Sequence, residues 1–167
     1  MKLALPSKRL QRGSMILDAF RFGSGGANAH SYWRVNISAA QSSTYASLAI
    51  LEFRATVGGA DQCSGGTPIA DSSYPGLPKA NAFDGNTATV WASVSGMPHY
   101  IGYHFPSPVS VGQVAITSTD AAYAGAAEDL RSFTIESSDD GLAWNVEKTP
   151  SMQAGWSRSE TRTFTVP

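Results

Sequence analysis

The residues best suited to chemistry stand in "NAFDGNTATVWAS" (81–93), where Asp84, Gly85 and Asn86 precede Trp91. A carboxylate followed by glycine and an amide can do two things. Oxygen ligands on a tight turn suit a hard cation. The same carboxylate can instead accept backbone N–H bonds in an Asx turn, with the glycine supplying a positive φ. Both readings stand at this point. Asp139-Asp140-Gly141 is a second carboxylate pair, but its form is that of a hairpin turn. A hydrolase needs paired carboxylates or a nucleophile with its base. The three histidines have no acidic or cysteine neighbours at ligand spacing. Neither Gly-x-Ser-x-Gly nor a glycine-rich phosphate loop occurs. Cys63 is the only cysteine, which leaves no disulfide framework and no cysteine-based metal site. No enzyme is expected.

The elements that must position these residues read as strands. "SYWRVNIS" sets Trp33, Val35 and Ile37 against Tyr32, Arg34 and Asn36, the alternation of a half-buried strand. "ASLAILEFRA" (46–55) is apolar on both faces and reads as a central strand. "YIGYHF" (100–105) places Ile101, Tyr103 and Phe105 on one side. "VGQVAITS", "RSFTIESS", "AWNVEK" and "ETRTFTV" complete the set, punctuated by "VGGADQCSGG", "SSYPGLP", "FDGN", "FPSP" and "DDG". "AAYAGAAEDL" has room for one helical turn. Seven short strands with such turns predict an all-β antiparallel β-sandwich over residues 31–167. Trp33, Phe53, Trp91, Ile116, Phe133, Ile135, Trp144 and Phe164 are its expected core.

Composition agrees with one such domain. The chain has 167 residues, only 15% of them charged, and a net charge of −1, which disfavours a nucleic-acid partner. No run approaches 18 apolar residues, so no membrane insertion is expected. "MKLALPSKRLQ" makes a poor export signal, and synthesis in a cytoplasm as a soluble chain is expected. Residues 1–30 differ from the rest. Lys2, Lys8, Arg9, Arg12 and Arg21 face only Asp18, "MILDAF" is apolar, and "GSGGANAH" reads as a flexible linker. Such an arm suits docking onto an acidic partner.

Four stretches together resemble the discoidin, or coagulation-factor C-type, domain. "AFDGNTATVWAS" resembles its Asp-Gly-Asn and Thr-x-Trp signature, and "YIGYHF" the strand that follows. "FTIESSDDGLAWNV" resembles its Phe-x-Ile-x-x-Ser-x-Asp-Gly-x-x-Trp hairpin. "YWRVNI" with "ASLAILEF" resembles the two closing strands, which here come first, as in a circular permutation. That order resembles discoidin-like domains of bacteriophage tail and virion proteins. The resemblance implies a non-catalytic jelly-roll sandwich of the galactose-binding type.

It also implies where a site lies. Carbohydrate-binding relatives hold calcium beneath the Asp-Gly-Asn turn, and Asp84, Asn86 and Thr89 match that turn. The second carboxylate of the family pattern is missing, because Ile50 stands where a glutamate is expected, which puts the calcium in doubt. Sugar sites in such modules are built on the loops at one end of the sandwich, where aromatic faces stack on C–H surfaces and polar groups bond hydroxyls. His99, Tyr100, Asp120, Tyr123, Trp156 and Tyr74 are the candidates there. The expected function is a virion structural protein displaying a carbohydrate-binding-type domain for host-surface glycan, anchored to other virion proteins through residues 1–30 and oligomeric in the assembly. The alternatives are a bacterial glycan-binding module unconnected with a virion and a structural adaptor with no ligand.

Overall fold

A computed structural model describes residues 28–120 and 127–167. Ten strands follow in chain order: β1 (Ala29–Ala40), β2 (Ser47–Leu48), β3 (Ile50–Arg54), β4 (Thr67–Ala70), β5 (Trp91–Ala92), β6 (His99–Ser110), β7 (Gln113–Thr117), β8 (Leu130–Ser138), β9 (Asn145–Lys148) and β10 (Thr161–Thr165). A 3-10 turn spans Lys79–Phe83. The sheets run β4-β6-β1-β8-β9, β10-β7-β3 and β2-β5, with every pairing antiparallel. The fold is the all-β sandwich expected of a discoidin-type domain.

Alternation decides what goes inside. Trp33, Val35 and Ile37 of β1 pair with Tyr103, Ile101 and His99 of β6, and with Ser137, Ile135 and Phe133 of β8. Period-two geometry turns the apolar members of these rows to one face. From the facing sheet come Leu51, Phe53, Val114, Ile116 and Phe164, all buried. The two layers meet in edge-to-face ring pairs, Phe53 on Phe105 at 6.1 Å and Phe133 on Phe164 at 5.1 Å. Each fully buried side chain of this kind contributes about 1.5–3 kcal/mol.

Several expectations need correction. β3 is not central; it forms one edge of the three-stranded sheet, and β7, buried along its whole length, is the middle strand. The apolar run 46–51 divides because the chain leaves β5 at Leu48 and joins β7 at Ile50. "FPSP" is not a turn. β6 continues through Pro106 and Pro108, where β4 has already ended and the β1 pairing is interrupted, so no ladder N–H is required of either proline. β1 begins at Ala29, so Ala29 and His30 pair with Ser110 and Val109 instead of forming linker. Trp144 is half-buried on the outer face of the large sheet, its ring 3.8 Å from the Arg34 guanidinium. Residues 1–27 of the arm, and most of the "AAYAGAAEDL" turn, lie outside the described residues.

The strand directions give the sandwich two poles. β1 and β7 end, and β6 and β8 begin, at the pole that carries loops 41–46, 71–78, 93–98 and 149–160. At the opposite pole β1 begins, the β8–β9 hairpin turns, and the Asn28 side-chain amide donates to the Pro167 carbonyl at 3.1 Å.

Candidate functional site

The Asp84 turn is closed on itself. Asp84 Oδ1 accepts from the Asn86 N–H at 2.8 Å and Oδ2 from the Thr89 hydroxyl at 2.7 Å. Asn86 Oδ1 in turn accepts from the Ala88 N–H at 3.0 Å, and Gly85 has φ 71°. The Thr89 hydroxyl also lies 2.8 Å from the Asn86 carbonyl oxygen, the alternative acceptor for its one hydrogen. Ile50, on the outward row of β3 with Glu52 and Arg54, supplies no charge. No group of three or more histidine, cysteine or acidic side chains fit to hold a metal occurs among the described residues. The donor set of Asp84, Asn86 and Thr89 is arranged as an Asx turn, with one carboxylate where the family pattern has two. Asp140 does the same work in the hairpin, where N–H groups of Ala143 and Leu142 and the Ser138 hydroxyl hold its carboxyl below the usual range.

The loop pole is where side chains converge. Tyr74 is 47% exposed, and its ring meets the ring of Tyr45 edge-on at 6.1 Å. Thr44 and Ser95, both exposed, share a hydroxyl bond of 2.9 Å, and the Gly96 N–H donates to the Thr44 carbonyl. The exposed side chain of Val94 stands beside them in sequence. The loop bearing Tyr74 is fixed from below: the Tyr74 N–H donates to the Ala92 carbonyl, and the Trp91 indole donates to the Ser72 carbonyl at 3.0 Å. Two aromatic rings, a rim of hydroxyls and rigid backbone suit a ligand that offers C–H faces and hydroxyls together.

His99 lies beneath this surface, not on it. It is 6% exposed, and its Nδ1 faces Asp71 Oδ2 at 2.7 Å and the Ser72 hydroxyl at 3.3 Å. Asp71 Oδ1 accepts the Tyr100 N–H, so the pair ties the 71–78 loop to the start of β6. Serine, histidine and aspartate are thus neighbours without being a catalytic relay. A relay places nucleophile and acid on opposite ring nitrogens, whereas here both face Nδ1 and Nε2 is enclosed without a partner.

The other candidates disperse. Tyr100 lies on the outer face of the large sheet, its ring 4.7 Å from the Arg34 guanidinium. Arg34 also pairs with Glu136 at 2.6 Å. Burial alone would raise the Glu136 carboxyl, but bonds from Thr134, Asn36 and Arg34 outweigh it and hold the group below the usual range. Trp156 is buried, donates to the Leu130 carbonyl at 2.8 Å and carries Arg162 over its ring, so it is a core residue and not a platform for a ligand. Asp120 is exposed at the pole where the described segment ends. Tyr123 lies outside the described residues. Tyr45, Thr44, Ser95 and Asp71 were not singled out from the sequence. Tyr45 in "QSSTYAS" does carry a signal, an aromatic within a hydroxyl-rich loop that lacks strand alternation.

Comparison with known proteins adds the last element. No curated protein and no solved structure matches the chain. A family model for the F5/8 type C domain matches residues 65–167, from just before β4 to the last residue. β1 to β3 precede the matched stretch, yet they supply a strand to each of the three sheets. With more than half of its length matched and both layers of the sandwich in place, the chain belongs to the F5/8 type C domain family.

Proposed function

We propose that this chain is a non-catalytic module that grips a cell-surface glycan with its loop pole and is displayed on a bacteriophage virion through its N-terminal arm. Domains of this family are in general non-catalytic modules that bind carbohydrate or other ligands. The observation that carries the reading is polarity. The Tyr45–Tyr74 ring pair and the Thr44–Ser95 rim stand at one pole, while Asn28 and Pro167, where the described chain begins and ends, meet at the other. An anchor reaching the sandwich through Asn28 leaves the binding loops facing away from it.

The virion setting rests on the order of the motifs and on the basic, partly apolar arm. An arm of this composition gains by ordering against an acidic partner surface. The test is a glycan array probed with the full chain and with a Tyr45→Ala/Tyr74→Ala variant. Binding by the full chain that the variant loses supports the reading. Equal binding by both places the site elsewhere.

A further inference from the structure

Asp129 sits where two loops of the pole meet. Residues 127–129 accept three backbone bonds from the neighbouring loop: Gln41 N–H to the Asp129 carbonyl at 3.0 Å, Ser42 N–H to the Ala127 carbonyl at 2.9 Å, and Ser47 N–H to the Glu128 carbonyl at 3.0 Å. That neighbouring loop carries Thr44 and Tyr45, which face Ser95 and Tyr74. The side chain of Asp129 is out of keeping with its surroundings. The residue is 3% exposed, and its Oδ1 is enclosed with no hydrogen-bond partner. The buried hydroxyls of Ser47 and Thr119, on the two adjoining segments, are likewise unpartnered. A buried carboxylate with one oxygen left unpartnered is costly when ionised and far less so when neutral.

The charges around it give little relief. Arg162 of β10 attracts the carboxylate, but it is engaged by Glu160 at 2.7 Å and lies over the Trp156 ring. Glu128 and Glu160 repel it, and the Thr119 backbone N–H favours it. Burial outweighs these influences and pushes the Asp129 carboxyl up to about 6.

We propose that Asp129 is a proton-operated latch on the loop pole. When neutral it lets residues 127–129 close against the 41–47 loop. When ionised it is driven from its enclosed place toward water and loosens the wall that holds Thr44 and Tyr45. Only the consequence for ligand, tighter binding in mildly acidic solution, rests on the proposed function. The latch itself is read on the ligand-free chain.

Two measurements on the full chain test it: a carbon-13 titration of the Asp129 carboxyl, and hydrogen-exchange protection of the Gln41, Ser42 and Ser47 amides. The carboxyl should titrate near 6. Protection of the three amides should be about tenfold greater near pH 5 than near pH 7.5. Asp129→Asn, neutral at every pH and similar in shape, should stay protected throughout. A carboxyl midpoint in the ordinary aspartate range overturns the proposal, and the titration gives that answer even if the variant does not fold. Protection that ignores pH in the wild type, or a variant that follows the wild type, overturns it as well. Failure to bind glycan bears on the proposed function and leaves these readouts as they are.

Discussion

At Asp84 both carboxylate oxygens face donors of its own turn, so the carboxylate ties the turn together. Asp84→Ala should destabilise the fold by about 1 kcal/mol. The loss should be equal in calcium and in chelator, as read by urea unfolding; a loss seen only in calcium would point to a bound ion. The pH profile follows from two opposed groups. Asp129, raised when folded, is stabilising once protonated, and that contribution is lost as pH rises through about 6. Glu136, lowered when folded, contributes stability above its ordinary range and loses it as pH falls into acid. Stability should therefore fall as pH rises from the ordinary aspartate range to about 6 and stay lower above it, and an optimum at neutral pH or above contradicts this. Trp156→Ala should cost about 3–5 kcal/mol and Trp144→Ala clearly less, because only the first empties a core position. That difference was not legible in the sequence. "SMQAGWSRSE" has no alternation to place its tryptophan, which is buried through a bond to Leu130, 26 residues away in the chain.

Strands were read well wherever one face is apolar and the other polar, as in β1 and the first half of β6. They were misread where that contrast fails. β4, "TPIA", is too short to show a period, and the 46–55 run looked central because its split between two sheets depends on partners from β5 and β7. Nor did a sequence pattern show that Gly102 is a packing requirement. A Cβ there would stand 2.1 Å from the Trp33 carbonyl oxygen and 2.7 Å from the Arg34 Cα, both backbone atoms of the central strand. Gly102→Ala must push β1 and β6 apart, and we expect a loss of about 3 kcal/mol or more by chemical denaturation. Gly58→Ala is the control. It meets nothing within 4 Å and is opposed only by its φ of 71°, so it should cost about 1 kcal/mol. Equal losses would show that the close approach of β1 and β6 is not what constrains Gly102.

For the whole molecule the sequence indicated which kind of surface to seek, but not which residues form it. Tyr74 was found; Tyr45 and Thr44 reach it only because β1 ends beside the start of β6 and the 93–98 loop. Deleting residues 1–22 should leave a folded sandwich, because the strands of the three sheets among the described residues all lie from Ala29 onward. The same truncated chain should no longer enter its assembly, and normal incorporation would remove the anchoring role of the arm. The central claim, that the loop pole is the binding surface, is tested most directly by mapping amide chemical shifts during titration with a glycan selected on an array. The account predicts shifts confined to residues 43–46, 72–75 and 93–97, with Leu142 and the Asp139–Ala143 hairpin at the opposite pole silent. Shifts centred on that hairpin, or on the Arg34–Tyr100–Trp144 face of the large sheet, would contradict it.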